Sequence, residues 1–151
     1  MLELAREADW EAIKQLSVQI HQLHIVWRPD IFMSCEEPYP RDKFLQDIRG
    51  RLVYTAKIDN CVIGYVVLSM YEKSGAGFAE KKVMRLESIC VEEMLRGQGI
   101  GKAMVADVRA LAYAFGCKEL VLGVHAENDM AVGFYQKCGF RIRSINMDMK
   151  I

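Results

Sequence analysis

The residues best equipped for chemistry lie in one short stretch, Arg96-Gly97-Gln98-Gly99-Ile100-Gly101-Lys102. It separates an apolar run from a long amphipathic pattern and therefore reads as a strand-to-helix turn. Glycines let backbone N–H groups converge, and a helix start adds about half a positive charge of dipole. Amides converging at a helix start suit a phosphate or pyrophosphate. Two other phosphate loops fail on spacing. A Walker-A loop needs GxxxxGK followed by Ser or Thr, whereas Arg96 stands at the first glycine position and Ala103 follows Lys102. A GxGxxG fingerprint would put Lys102 or Met104 where its last glycine belongs. The plain alternative is a glycine-rich turn without a ligand, at the conformational cost of three glycines.

A second pattern follows: Asn128, Ala131, Phe134, Tyr135, Gly139 and Phe140. Asn128 suits a helix N-cap and Gly139 a left-handed helix end. Ala131, Phe134 and Tyr135 then come within reach of a neighbouring sheet, where they also read as ordinary core aromatics and a packed alanine.

R-x-x-G-x-G, as Arg96, Gly99 and Gly101, resembles the coenzyme A pyrophosphate loop of the GNAT N-acetyltransferase superfamily. Leu86-Glu87-Ser88-Ile89-Cys90-Val91 resembles the strand before that loop, and the pattern from Asn128 to Phe140 resembles the second signature. Element order matches too, so the resemblance covers essentially the whole chain. It implies a GNAT-like acyl-CoA N-acyltransferase fold and acetyl-CoA as co-substrate, with no metal. It also implies acetyl transfer to a primary amine by direct attack in a ternary complex. The cofactor-binding positions that match are Ile89, Val91, Arg96, Gly97, Gln98, Gly99, Ile100, Gly101, Lys102, Asn128 and Tyr135. By the same correspondence the Ile89 N–H polarises the thioester carbonyl, Val91 bonds the pantetheine arm, and Tyr135 donates to the departing thiolate. A phenol at about 10 and a thiol at about 8.5 make that donation uphill by roughly 2 kcal/mol, which favours hydrogen bonding over full transfer. The other reading the resemblance leaves open is a catalytically silent, coenzyme A-binding sensor or interaction module.

A primary amine with a pKa of about 10.4 is protonated near neutrality, so a base must take its proton. Glu87 is the candidate. On an evenly alternating strand it shares a face with Arg85, Ile89 and Val91, and apolar surroundings make a carboxylate more basic. Simple pairing with Arg85 or a surface lysine is the alternative. Trp27, Phe32 and Tyr39, with Asp30, Glu36, Glu37 and Glu72, occupy the two segments where the family builds its acceptor pocket. Such groups suit a cationic amine, although exposed carboxylates are also ordinary surface. His21 and His24, at i and i+3, make a poor zinc site and read as a solvated or satisfied pair.

These residues need elements to hold them. Leu2 to Arg6 reads as a first strand closed by Asp9 as a helix cap. Ile13, Leu16, Ile20, Leu23 and Trp27 recur at helical spacing. Asp42 to Arg49 reads as a second helix. Leu52 to Ile58 and Cys61 to Met70, joined by Asp59-Asn60, form a hairpin. A loop over Glu72 to Lys82 leads to a strand over Val83 to Val91. Ile100 to Phe115 is helical, Leu120 to Val124 a buried strand, Asn128 to Cys138 a helix and Phe140 to Met149 a last strand with Met147 and Met149 in the core. Hairpins first and strand–helix–strand units later predict an α/β fold built on one mixed, mostly antiparallel twisted sheet flanked by helices.

A length of 151 residues suits one domain, here 1–151. Twenty basic and twenty acidic residues cancel, which gives no electrostatic warrant for a nucleic-acid or membrane-surface partner. The longest apolar run, Cys61 to Met70, is far short of the roughly 20 residues that span a bilayer. The acidic start, MLELAREADWE, lacks signal-peptide order. Five scattered cysteines without a CxxC spacing read as small buried side chains in a reducing cytoplasm. A small-molecule or peptide amine is the expected partner, and a homodimer is possible by family analogy alone.

Overall fold

Asp59 and Asn60 both take left-handed backbone angles, φ 49° and 64°. A two-residue hairpin turn that matches strand twist requires this, and Asp and Asn tolerate it. The turn joins β2 (Val53–Ile58) to β3 (Cys61–Lys73), the hairpin expected from the sequence. The computed structural model describes residues 1–151. β1 (Leu2–Leu4) adds to β2, and β4 (Lys81–Val91) adds to β3, both antiparallel. β5 (Glu119–Leu122) joins β4 in parallel, giving a five-stranded mixed sheet in the order β1-β2-β3-β4-β5.

Helices cover both faces. α3 (Ile100–Ala114) presses Met104, Val108 and Ala112 onto Tyr54, Val66, Leu68, Met84 and Leu86. On the other face α1 (Trp10–Trp27) and α2 (Arg41–Arg49) bring Trp10, Ile13, Leu16 and Phe44 onto Val53, Tyr65, Val67 and Cys90. Each large apolar side chain so buried contributes about 1.5–3 kcal/mol. α4 (Asp129–Lys137) follows β5 and ends at Gly139, whose φ of 95° makes it the left-handed terminator.

Several expectations are corrected. Asp9 does not cap α1 through its side chain; it accepts from the Arg6 N–H at 2.8 Å and pairs with Lys57 at 2.9 Å. Of the cysteines only Cys90 is buried, and Cys35 and Cys61 are exposed. The segment from Phe140 onward forms no strand, and Met147 and Met149 are 92% and 83% exposed instead of core. The sheet ends at β5, and the tail passes that strand without forming a ladder on it. Its ionic contacts run from Arg143 to Glu119 and from Asp148 to Arg28.

The most consequential correction lies in β4. Val67 faces Ser88 and the next residue, Leu68, faces Leu86, so Glu87 is an extra residue in the ladder. Such a bulge resets side-chain alternation. Leu86, Ile89 and Val91 pack on the α3 side, while Cys90 packs under α1 and α2. Glu87 meets Arg85 and Ser69, and does not share a face with Ile89 and Val91 as even alternation requires.

Candidate functional site

β4 and β5 stay paired only from Val83–Glu119 to Leu86–Leu122. Beyond that point β4 runs on to Val91 with its outer edge unpaired. The Glu92 N–H turns inward to the Ile63 carbonyl at 2.8 Å. Strand alternation therefore turns the amides of Ile89 and Val91 outward, to the open edge. Arg96 Nε donates to the Val91 carbonyl at 2.9 Å on that same edge, drawing the glycine loop against the strand. Gly97 and Gly99 take φ of 78° and 85°, and Gly99 stands at the N-cap of α3. Left-handed glycines at a helix start leave N–H groups unpaired, an arrangement that suits an anion. Gly101 has another reason to be glycine: a Cβ there would lie 3.3 Å from the Phe134 ring.

The loop opens onto a cleft of about 730 Å³ between β4, α3 and α4. Ile89, Val91, Arg96, Gly97, Gly99, Ile100, Gly101, Lys102, Asn128 and Tyr135 all line it. Gln98 is exposed and does not. Asn128 caps α4 by accepting from the Ala131 N–H at 3.0 Å, so its side chain orients the helix that carries Phe134 and Tyr135. Burial, reinforced by the Cys138 thiol, pushes the Tyr135 phenol up to about 12.

A second cavity, of about 570 Å³, opens on the opposite side of β4, beneath α1, α2 and the 28–40 segment. Phe32, Tyr39, Tyr65, Leu52, Val67 and Leu68 give it apolar walls. The two cavities share four lining residues: Ile20, His24, Glu87 and Ser88. The bulge is what makes this junction. It sends Glu87 and Ser88 toward the second cavity and returns Ile89 to the first. Glu87 is exposed, accepts from Ser69 Oγ, and pairs with Arg85 Nε at 3.2 Å.

Phe32 and Tyr39 line this second cavity, whereas Trp27 lines the first cleft, beside the glycine loop. The carboxylates grouped with them do not gather there. Asp30 pairs with Arg28 at 2.9 Å, Glu37 with Lys14 at 3.3 Å, and neither Glu36 nor Glu72 lines either cavity. His24 is the residue that sequence reasoning undervalued. Its ring lies 5.2 Å from Phe32 and 6.4 Å from His125, a residue just over a hundred positions away that no spacing rule connects to it. Burial, then the neighbouring His125 and His21, hold His24 below the usual imidazole range. Asp47 was likewise missed: it is 3% exposed, accepts from Tyr39 Oη at 2.8 Å, and pairs with Lys43.

Residues 17–140 match the acetyltransferase (GNAT) family profile. The chain belongs to the GNAT acetyltransferase family. Among individual GNAT relatives, an uncharacterized N-acetyltransferase of Methanocaldococcus jannaschii is 30% identical over 111 residues, which are 72% of this chain and 65% of that protein. The chain thus spans just under two thirds of that relative's length. A crystal structure of a mutant protein from Bacillus halodurans superposes with a TM-score of 0.95 at 24% identity, covering 100% of this chain and 99% of that one. An aminoglycoside N-acetyltransferase in complex with CoA gives a TM-score of 0.70 at 20% identity, covering 100% and 93%. At these identities the likeness of the two structures is one of GNAT fold. No helix of the chain is long and apolar enough to cross a membrane.

Proposed function

We propose that this GNAT protein moves an acetyl group from acetyl-CoA to a primary amine by direct attack in a ternary complex. The observation that carries the reading is the meeting of two cavities at Ile20, His24, Glu87 and Ser88. One has the anion cradle and open strand edge that a pyrophosphate and an amide-bearing arm need. The other is a separate compartment for the acceptor. Direct transfer requires both substrates held at one point, which is where proximity lowers the barrier.

Each residue then has a task. Loop amides from Arg96 to Lys102 bind the pyrophosphate. The outward N–H of Val91 bonds the pantetheine arm, and that of Ile89 donates to the thioester oxygen as charge develops on it. Glu87, at the junction, takes the proton from the ammonium so that the free amine can attack the carbonyl carbon. As the C–S bond breaks, sulfur leaves as thiolate beside Tyr135. The nitrogen, now an amide, gives its second proton to solvent, from which the thiolate is protonated. Full proton transfer from a phenol at about 12 to a thiolate near 8.5 is uphill by ~5 kcal/mol. Tyr135 therefore acts by hydrogen-bonding the thiolate.

Acetyl-CoA is expected to raise the melting temperature where ATP and NAD do not, and to release thiol with an amine present. Tyr135→Phe should lower turnover far more than acetyl-CoA affinity; unchanged turnover removes Tyr135 from the mechanism. Stabilisation by acetyl-CoA without thiol release from any amine would instead support a silent coenzyme A-binding module.

A further inference from the structure

The acceptor cavity carries its own description of what it takes. Its exposed surface is mainly apolar, with Ser17, His21, His24, Ser69 and Ser88 set among the rings. Tyr39 and Tyr65 stack with rings 9° from parallel and centroids 6.4 Å apart, and Phe32 closes the side nearest His24. Two carboxylates face it, and both are already matched. Asp47 is held by Lys43 and the Tyr39 hydroxyl. Glu87, beside the cofactor cleft, is paired with Arg85. Lys43 is the only lysine or arginine in the lining and is committed to Asp47, so no cation stands free for a phosphate.

We infer that the acceptor is a primary monoamine with an apolar body of one or two rings, its nitrogen at Glu87 and its body between Phe32 and Tyr39. The inference rests on the acetyl-transfer reading and adds to it the class of substrate. A polycation brings, beyond the one charge placed at Glu87, further charges that Asp47, already held by Lys43 and Tyr39, does not answer. These must shed their hydration against mainly apolar walls. A phosphorylated sugar brings an anion with no cation to receive it. A ring-bearing monoamine buries its body and leaves one charge beside one carboxylate. A cavity of about 570 Å³ lies within the range of roughly 300–1,000 Å³ typical of sites for such molecules. Phe32 adds an aromatic face near the junction, where an ammonium gains cation–π attraction.

The test compares kcat/KM at saturating acetyl-CoA for 2-phenylethylamine and tryptamine against spermidine, kanamycin, glucosamine 6-phosphate and a lysine-bearing peptide. The ring-bearing monoamines should lead by at least about tenfold, the scale of one well-matched apolar contact. Preference for a polycation, the phosphorylated sugar or the peptide overturns the inference while leaving acetyl transfer intact. Should acetyl-CoA bind but no amine release thiol, the transfer reading fails. Calorimetry of 2-phenylethylamine against spermidine on the CoA-loaded protein then decides the cavity's preference, and tighter spermidine binding overturns it. Phe32 lines only the acceptor cavity. Phe32→Asp should therefore raise KM for 2-phenylethylamine about tenfold and leave KM for acetyl-CoA unchanged, while Phe32→Leu restores most of the loss. An unchanged amine KM in Phe32→Asp also overturns the proposed pose.

Discussion

His24 is held in a ring of aromatic groups, with Trp27, Phe32 and His125 all within 6.4 Å between centroids. Its lowered pKa has a consequence for stability. In the unfolded chain the imidazole takes a proton as pH falls through about 6.5, while in the folded chain it stays neutral to lower pH. Between those two points the unfolded state binds more protons, so stability falls as pH is lowered, and above about 6.5 the contribution is flat. Thermal melts between about pH 7.5 and 5.5 should show a decline that His24→Gln makes shallower; identical slopes would mean that His24 does not titrate differently on folding. At this scale the motif residues were legible because their types are demanded by backbone chemistry. Gly97, Gly99 and Gly139 all take left-handed angles, and Asn128 caps its helix. His24 and Asp47 were not, because their importance arises from neighbours supplied by other elements.

The bulge in β4 is the feature that turns one strand to two purposes. Apolar residues destined for the α3 side fall at 84, 86, 89 and 91, stepping by two, three and two, and that uneven step is the sequence signal of the extra residue. Even alternation assigned Glu87 to the wrong face because it ignored the step. The loop that follows β4 depends on backbone angle just as strongly. Around Gly99 an added Cβ would meet nothing within 4 Å, so the penalty of Gly99→Ala is the left-handed φ of 85° alone, about 1–2 kcal/mol. That should lower the melting temperature by roughly 2–8 °C in a chain of this size. Acetyl-CoA affinity should fall as well, and Gly99→Asn should recover part of both, since Asn tolerates this angle. Equal behaviour of the alanine and asparagine variants would show that the angle is not what the position requires.

For the molecule as a whole, sheet composition and helix order followed from hydrophobic period and turn residues, from the Asp59-Asn60 hairpin to the stripe of α1. The tail did not. Ile145, Met147, Met149 and Ile151 alternate as strand residues do, but period two states only that a segment is able to pair. Whether it does pair depends on contacts with the rest of the fold, which period two does not report. All four are at least 79% exposed. Equal numbers of acidic and basic residues and an isoelectric point near 6.8 leave neighbouring molecules with little mutual repulsion close to neutral pH. Met147→Lys with Met149→Lys should accordingly reduce concentration-dependent light scattering near neutral pH without moving the melting temperature. Unchanged scattering would show that other surfaces govern association. The open outer edge of β5 adds a second adhesive element. The exposed apolar side chains from Ile145 to Ile151, outside the packed fold, are thus expected to set how crowded a solution of this protein can become.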